Sequence, residues 1–153
     1  MVQLADPAWT LKAMHLACAM ASRAHTAVVL VRMLAAPHIG LVGEDMGEKN
    51  LTFREHETRS SCYRLAKDYG VEFQFTDFQY FSLAEALAEA ATFVNAQAVF
   101  ATLPPGMFAY WHRFMVWSLR RKLASADCRL YTLEPSNSRH ESMASVLVHS
   151  GDK

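Results

Sequence analysis

Where a hydrophobic strand passes into a helix, an α/β protein commonly receives a phosphate, because backbone N–H groups of the turn and the helix start converge there. Residues 101–123, ATLPPGMFAYWHRFMVWSLRRKL, are such a passage, following the hydrophobic QAVF of 97–100. They hold two prolines, one glycine and six rings, the His112 imidazole included. Proline has no N–H to offer, and residues with a Cβ avoid the φ values that turn successive amides toward an anion. The stretch is poorly equipped to wrap a polyphosphate.

Other side chains nearby carry suitable chemistry. Arg32, near the end of a β-branched run, falls where the carboxyl ends of parallel strands open a crevice. It either holds an anion there or pairs with a neighbouring carboxylate. Arg113 offers a guanidinium and Ser118 a hydroxyl to the same crevice, with His112 beside them; the alternative is the solvated rim of a packed loop. Asp6, ahead of Pro7, has the position of an acid facing a helix dipole.

Metal binding and catalysis find little support. The seven histidines form no HxH or HxxxH pair, and the three cysteines (Cys18, Cys62, Cys128) no CxxC or CxxH spacing. No GxSxG elbow, Walker loop or GxGxxG is present, so the expectation is a non-enzyme. Cys62 falls on a polar helix and is expected to be exposed.

The elements that would position these groups alternate. A buried helix is expected over Thr10–Ala24, a strand covered on both faces over 27–34, and a mobile loop over 35–50, where Pro37, Gly40, Gly43 and Gly47 interrupt the chain. Thr52 and Glu55 have capping-box spacing at the head of a helix that Gly70 ends; Ser82 and Glu85 repeat it before LAEALAEAATFV. Between them VEFQFTDFQY alternates as an outer strand does. Residues 97–103 form a short strand, 108–125 a helix and 129–134 a last strand stopped by Pro135. Only VQLA (2–5) remains for a first strand. With right-handed crossovers this is an α/β three-layer sandwich, a five-stranded parallel sheet flanked by helices.

Composition narrows the partners. The 15 basic and 15 acidic side chains cancel, which removes the attraction nucleic-acid binders need. The N-terminus MVQLADPAW has no signal-peptide pattern and no apolar run is long enough to span a bilayer, so a soluble cytoplasmic protein is expected. Half the residues are hydrophobic, an argument for a homodimer. In the stripe Phe108, Tyr110, Trp111, Phe114, Met115, Trp117, core packing plus a dimer contact is expected over an interfacial membrane helix.

Three stretches, in this order, resemble the universal stress protein family: Asp6 between the short first strand and the buried helix; VEFQFTDFQYFSLAEALAEAA; and the last strand after the small residues around Cys128. The likeness spans residues 2–135, giving a universal stress protein-like domain over 1–135 and a C-terminal tail over 136–153, disordered or lent to a dimer partner. The resemblance implies a dimer pairing Arg129–Glu134 across a two-fold axis and, in better-known members, ATP or AMP bound with magnesium, Asp6 lying near the ligand. The family's phosphate loop resembles G, two residues, G, nine residues, then G with Ser or Thr. With Ser118 as the hydroxyl, the glycines fall on Pro104, Met107 and Trp117, and only Gly106 stands close to the pattern. The expectation is a non-catalytic dimeric binding or regulatory module without tight ATP binding and without a cofactor. Its rivals are an ATP or AMP binder using Asp6, Arg32, Gly106, Arg113 and Ser118 for a small anionic ligand, or a cytoplasmic domain serving a membrane transporter.

Overall fold

The computed structural model describes residues 1–35, 51–103, 109–124 and 127–133, with side chains in the last helix from Arg113 onward. Of the loop expected over 35–50, Ala35 belongs to a strand and the rest, with Gly106, the first rings of the aromatic stripe and the tail, lies outside the described residues. The elements run β1 (Val2–Gln3), α1 (Pro7–Ala24), β2 (Val28–Ala35), α2 (Phe53–Asp68), β3 (Phe73–Tyr80), α3 (Leu83–Phe93), β4 (Ala98–Phe100), α4 (Ala109–Ala124) and β5 (Arg129–Tyr131).

All five strands are parallel, in the order β3-β2-β1-β4-β5. The chain starts at the centre, winds out to β3, then crosses back to β4 and β5. β3 is therefore an outer strand, as its alternation required. The pleat sorts the buried side chains. Val28, Leu30 and Phe100 join Met14, Cys18 and Cys62 under α1 and α2, while Val31, Val99 and Ala101 join Leu87, Leu119 and Leu123 under α3 and α4. β1 is two residues long yet central, and Leu4 extends its pairing by donating N–H to the Val31 carbonyl at 2.7 Å.

Each of the four described helices ends on a left-handed residue: His25 (φ 53°), Gly70 (64°), Asn95 (50°) and Asp127 (52°). After each, an N–H reaches five residues back, Thr26 to Ala21, Val71 to Ala66, Ala96 to Ala91 and Cys128 to Leu123, at 2.8–3.1 Å. This closure satisfies carbonyls the helix leaves open. Gly70 was readable as such a stop; His25 was not, because a Cβ disfavours that conformation.

The first helix begins three residues earlier than its hydrophobic pattern indicates. Proline at the first helical position and an acid just before it are the reason. The two capping boxes part company. At Thr52 both reciprocal bonds form, whereas Ser82 makes no side-chain capping bond.

Candidate functional site

The strand order reverses between β1 and β4, and beside that point an Asp6–Arg54 ion pair joins the starts of α1 and α2. This is the crevice in which open α/β sheets bind ligands. Its floor is held by side chains reaching across the chain. Gln3 Oε1 accepts from Thr102 N at 2.9 Å, Thr10 Oγ1 accepts from Ala5 N at 3.0 Å, and Trp9 Nε1 donates to the Leu133 carbonyl at 3.2 Å. None of these three was singled out from sequence, since a glutamine, a threonine and a tryptophan carry no signature by type alone.

Asp6 caps α1. Its Oδ1 accepts from Ala8 N at 3.1 Å and Trp9 N at 3.4 Å, satisfying helix-start donors, while Oδ2 faces Arg54 Nη2 at 3.4 Å. Both members of that ion pair are largely exposed, so water screens it.

Arg32 is 3% exposed and points to the α1/α2 side of the sheet. Nε donates to Asp77 Oδ1 at 2.9 Å and Nη2 to Asp77 Oδ2 at 2.8 Å, a two-pronged pair between residues in register on β2 and β3. Nη1 lies 3.8 Å from Glu55 Oε2, and that carboxylate in turn accepts from Thr52 N at 2.8 Å. The guanidinium is thus committed to carboxylates from two elements. Asp77 was missed from sequence, although a signal existed: it shares the parity of Phe73 and Phe75, which face inward.

Arg113 and Ser118 do not join this cluster. Arg113 is exposed in the first turns of α4, and Ser118, half-buried, lies nine residues after Ala109, roughly 13 Å along the helix. α4 covers the face of the sheet opposite to the one Arg32 enters, so the sheet stands between them. Ser118, the hydroxyl of the phosphate-loop register set out above, thus falls in mid-helix.

All three thiols are buried. Cys62 is buried, contrary to expectation, because Thr58, Cys62 and Ala66 recur every fourth residue and form the inner face of α2. Burial pushes its thiol from 9.0 up to about 12, with Cys18 nearby adding to the effect, and pushes Cys18 up to about 11. Cys128 is raised as well, chiefly by burial. No group of three His, Cys, Asp or Glu side chains able to hold a metal occurs among the described residues. A separate open hollow of about 610 Å³ lies between α2 and β3, where Arg59 stacks over the Phe75 ring at 4.5 Å.

A central-start parallel sheet with two helices on each face and a crevice at its switch point defines a doubly wound α/β domain. Within that class the fold is universal stress protein-like. It resembles a protein of the universal stress protein family from Burkholderia pseudomallei, with a TM-score of 0.58 and 14% identity over 88% of this chain and 95% of that one. It also resembles a universal stress protein solved in complex with cAMP, with a TM-score of 0.56 and 14% identity over 88% of this chain and 97% of the other. No family model matches the sequence, and no curated protein matches it.

Proposed function

We propose that the chain is a universal stress protein-like, non-catalytic, dimeric binding or regulatory module that works in the cytoplasm without a cofactor and does not hold ATP tightly. The observation that carries this is the internal pairing of the crevice charges. Asp77 and Glu55 engage Arg32, Asp6 caps a helix, and Arg54 turns to Asp6. Among the described residues these are three carboxylates and two guanidiniums, a balance that does not favour a triphosphate. Pro104 and Pro105 in the following segment withhold two further donors.

Dimerisation is proposed through β5, which lies at an edge of the described sheet, where an unpaired strand invites pairing. Light scattering at tens of micromolar is expected to give about 34 kDa, twice the 17.2 kDa chain. A monodisperse monomer would overturn the dimer. Calorimetry with ATP and magnesium is expected to give a dissociation constant weaker than about 100 μM, less than about 5.5 kcal/mol of binding. Tighter binding would overturn the present reading.

A second reading is a nucleotide binder of lower charge, and the neighbour solved with cAMP is what favours it. A monophosphate needs fewer main-chain donors than a triphosphate. The same titration with AMP and cAMP separates the two: binding of either below about 100 μM, with ATP weak, supports the second.

A further inference from the structure

α4 reads AYWHRFMVWSLRRKLA and contains no acidic residue, in a chain whose charges balance overall. Leu119 and Leu123 are its buried side. On the outward side, Phe114 and Trp117 are 56% and 55% exposed, their ring centroids 6.0 Å apart. Exposed Arg113, Arg120 and Arg121 flank them, and the Arg121 guanidinium sits 5.7 Å from the Trp117 ring. Lys122 is the cation of this helix that pairs, with Glu85 of α3 at 3.2 Å; no carboxylate among the described residues pairs with the three arginines.

We propose that this outward face of α4 is a docking surface for an anionic lipid bilayer, an inference independent of the crevice and of the function proposed above. The helix is about 24 Å long and lies on the outside of the domain, so its exposed strip can rest flat on a plane. Aromatic rings enter the headgroup boundary while guanidiniums meet lipid phosphates. Among the described residues no helix is long and apolar enough to cross a membrane, so the contact is a surface one. A second copy of the chain fits this face poorly, because a two-fold contact would set arginines against arginines. A polyanion such as nucleic acid would engage the rings by stacking alone, whereas the headgroup boundary of a bilayer takes them out of water.

The test is flotation of the full chain with phosphatidylcholine vesicles and with mixed phosphatidylcholine–phosphatidylglycerol vesicles. Binding is expected only to the mixed vesicles, with release at high salt and a blue shift of tryptophan emission that shrinks in W117F. R120Q/R121Q is expected to weaken partition about 30-fold, and F114S/W117S roughly tenfold or more. All four positions are exposed, and far-ultraviolet circular dichroism checks that each variant is folded; the single changes R121Q and W117F serve the same comparison with less disturbance. Absence of binding, equal binding to both vesicle types, or anionic binding unchanged by these variants would overturn the proposal. So would binding of a single-stranded oligonucleotide, lost in the same variants, by a protein that ignores vesicles.

Discussion

Arg32 and the arginines of α4 carry the same group into opposite surroundings. Arg32 is almost wholly buried, and β3 and α2 each bring a carboxylate to it. Arg113, Arg120 and Arg121 stand in water on a helix without an acid. A buried guanidinium is tolerable only when paired, so its partners come with it and its role is spent inside the fold. Exposed guanidiniums beside exposed rings cost the fold little and leave their chemistry for something outside it.

The strongest way to break that contrast is to remove Asp77. Asp77→Ala removes the two-pronged partner of the buried Arg32 guanidinium, and urea unfolding is expected to show a loss of about 3–5 kcal/mol. Replacing both, as Arg32→Met with Asp77→Leu, is expected to recover most of it, since two apolar side chains need no partner. A single-variant loss below about 1 kcal/mol would mean that water reaches the pair and the crevice is more open than its geometry indicates.

α4 repeats the contrast within one helix. Leu119, fully buried against α3 and the sheet, is expected to cost about 2–5 kcal/mol as Leu119→Ala, because the cavity adds to the lost transfer energy. Trp117→Ser, two residues away on the outward side, is expected to change stability by about 0.5 kcal/mol or less. Thermal unfolding of the two variants measures the difference. Comparable losses would mean that Trp117 packs in a core after all.

Much of this was legible in sequence, and the exceptions share a cause. The element order, the sheet's parallel character and the outer place of β3 follow from hydrophobic period, which burial dictates directly. Arg32 was recognisable as a crevice residue, but its partner depends on the register between β2 and β3, a non-local fact. Cys62 was misplaced because α2 is polar on most of its surface, and the inner stripe of Thr58, Cys62 and Ala66 is too small to dominate the pattern. The stripe from Phe108 to Trp117 reads as a wide apolar arc, so sequence alone left open which rings the sheet would cover; Phe114 and Trp117 remain outside.

The buried thiols sharpen the same comparison through pH. Cys18 and Cys62 ionise near 9.0 when unfolded but near 11 and 12 when folded. The folded state therefore keeps protons that the unfolded state releases. Their stabilising contribution is complete below pH 9 and is lost as pH rises toward 11–12. Native protein is expected to resist a thiol reagent at pH 8 and to lose stability steeply above pH 9, the alkaline slope shrinking in Cys62→Ala. Rapid labelling of Cys62 under native conditions would contradict its burial.

The smallest effect separates two sites that look alike. Thr52–Glu55 and Ser82–Glu85 have one spacing, yet the box closes only at the first. At Thr52, Glu55 Oε2 accepts the backbone N–H at 2.8 Å while Thr52 Oγ1 accepts from Glu55 N at 3.2 Å. At Ser82 the corresponding Glu85 reaches outward to Lys122 of α4 at 3.2 Å. One glutamate is turned inward by its own cap and by Arg32; the other is drawn to a neighbouring helix. Thr52→Ala is therefore expected to cost about 1 kcal/mol and Ser82→Ala a few tenths at most, by chemical denaturation. Lys122→Ala should free Glu85, so a larger cost for Ser82→Ala in that background would show the competing ion pair to be what keeps the second box open.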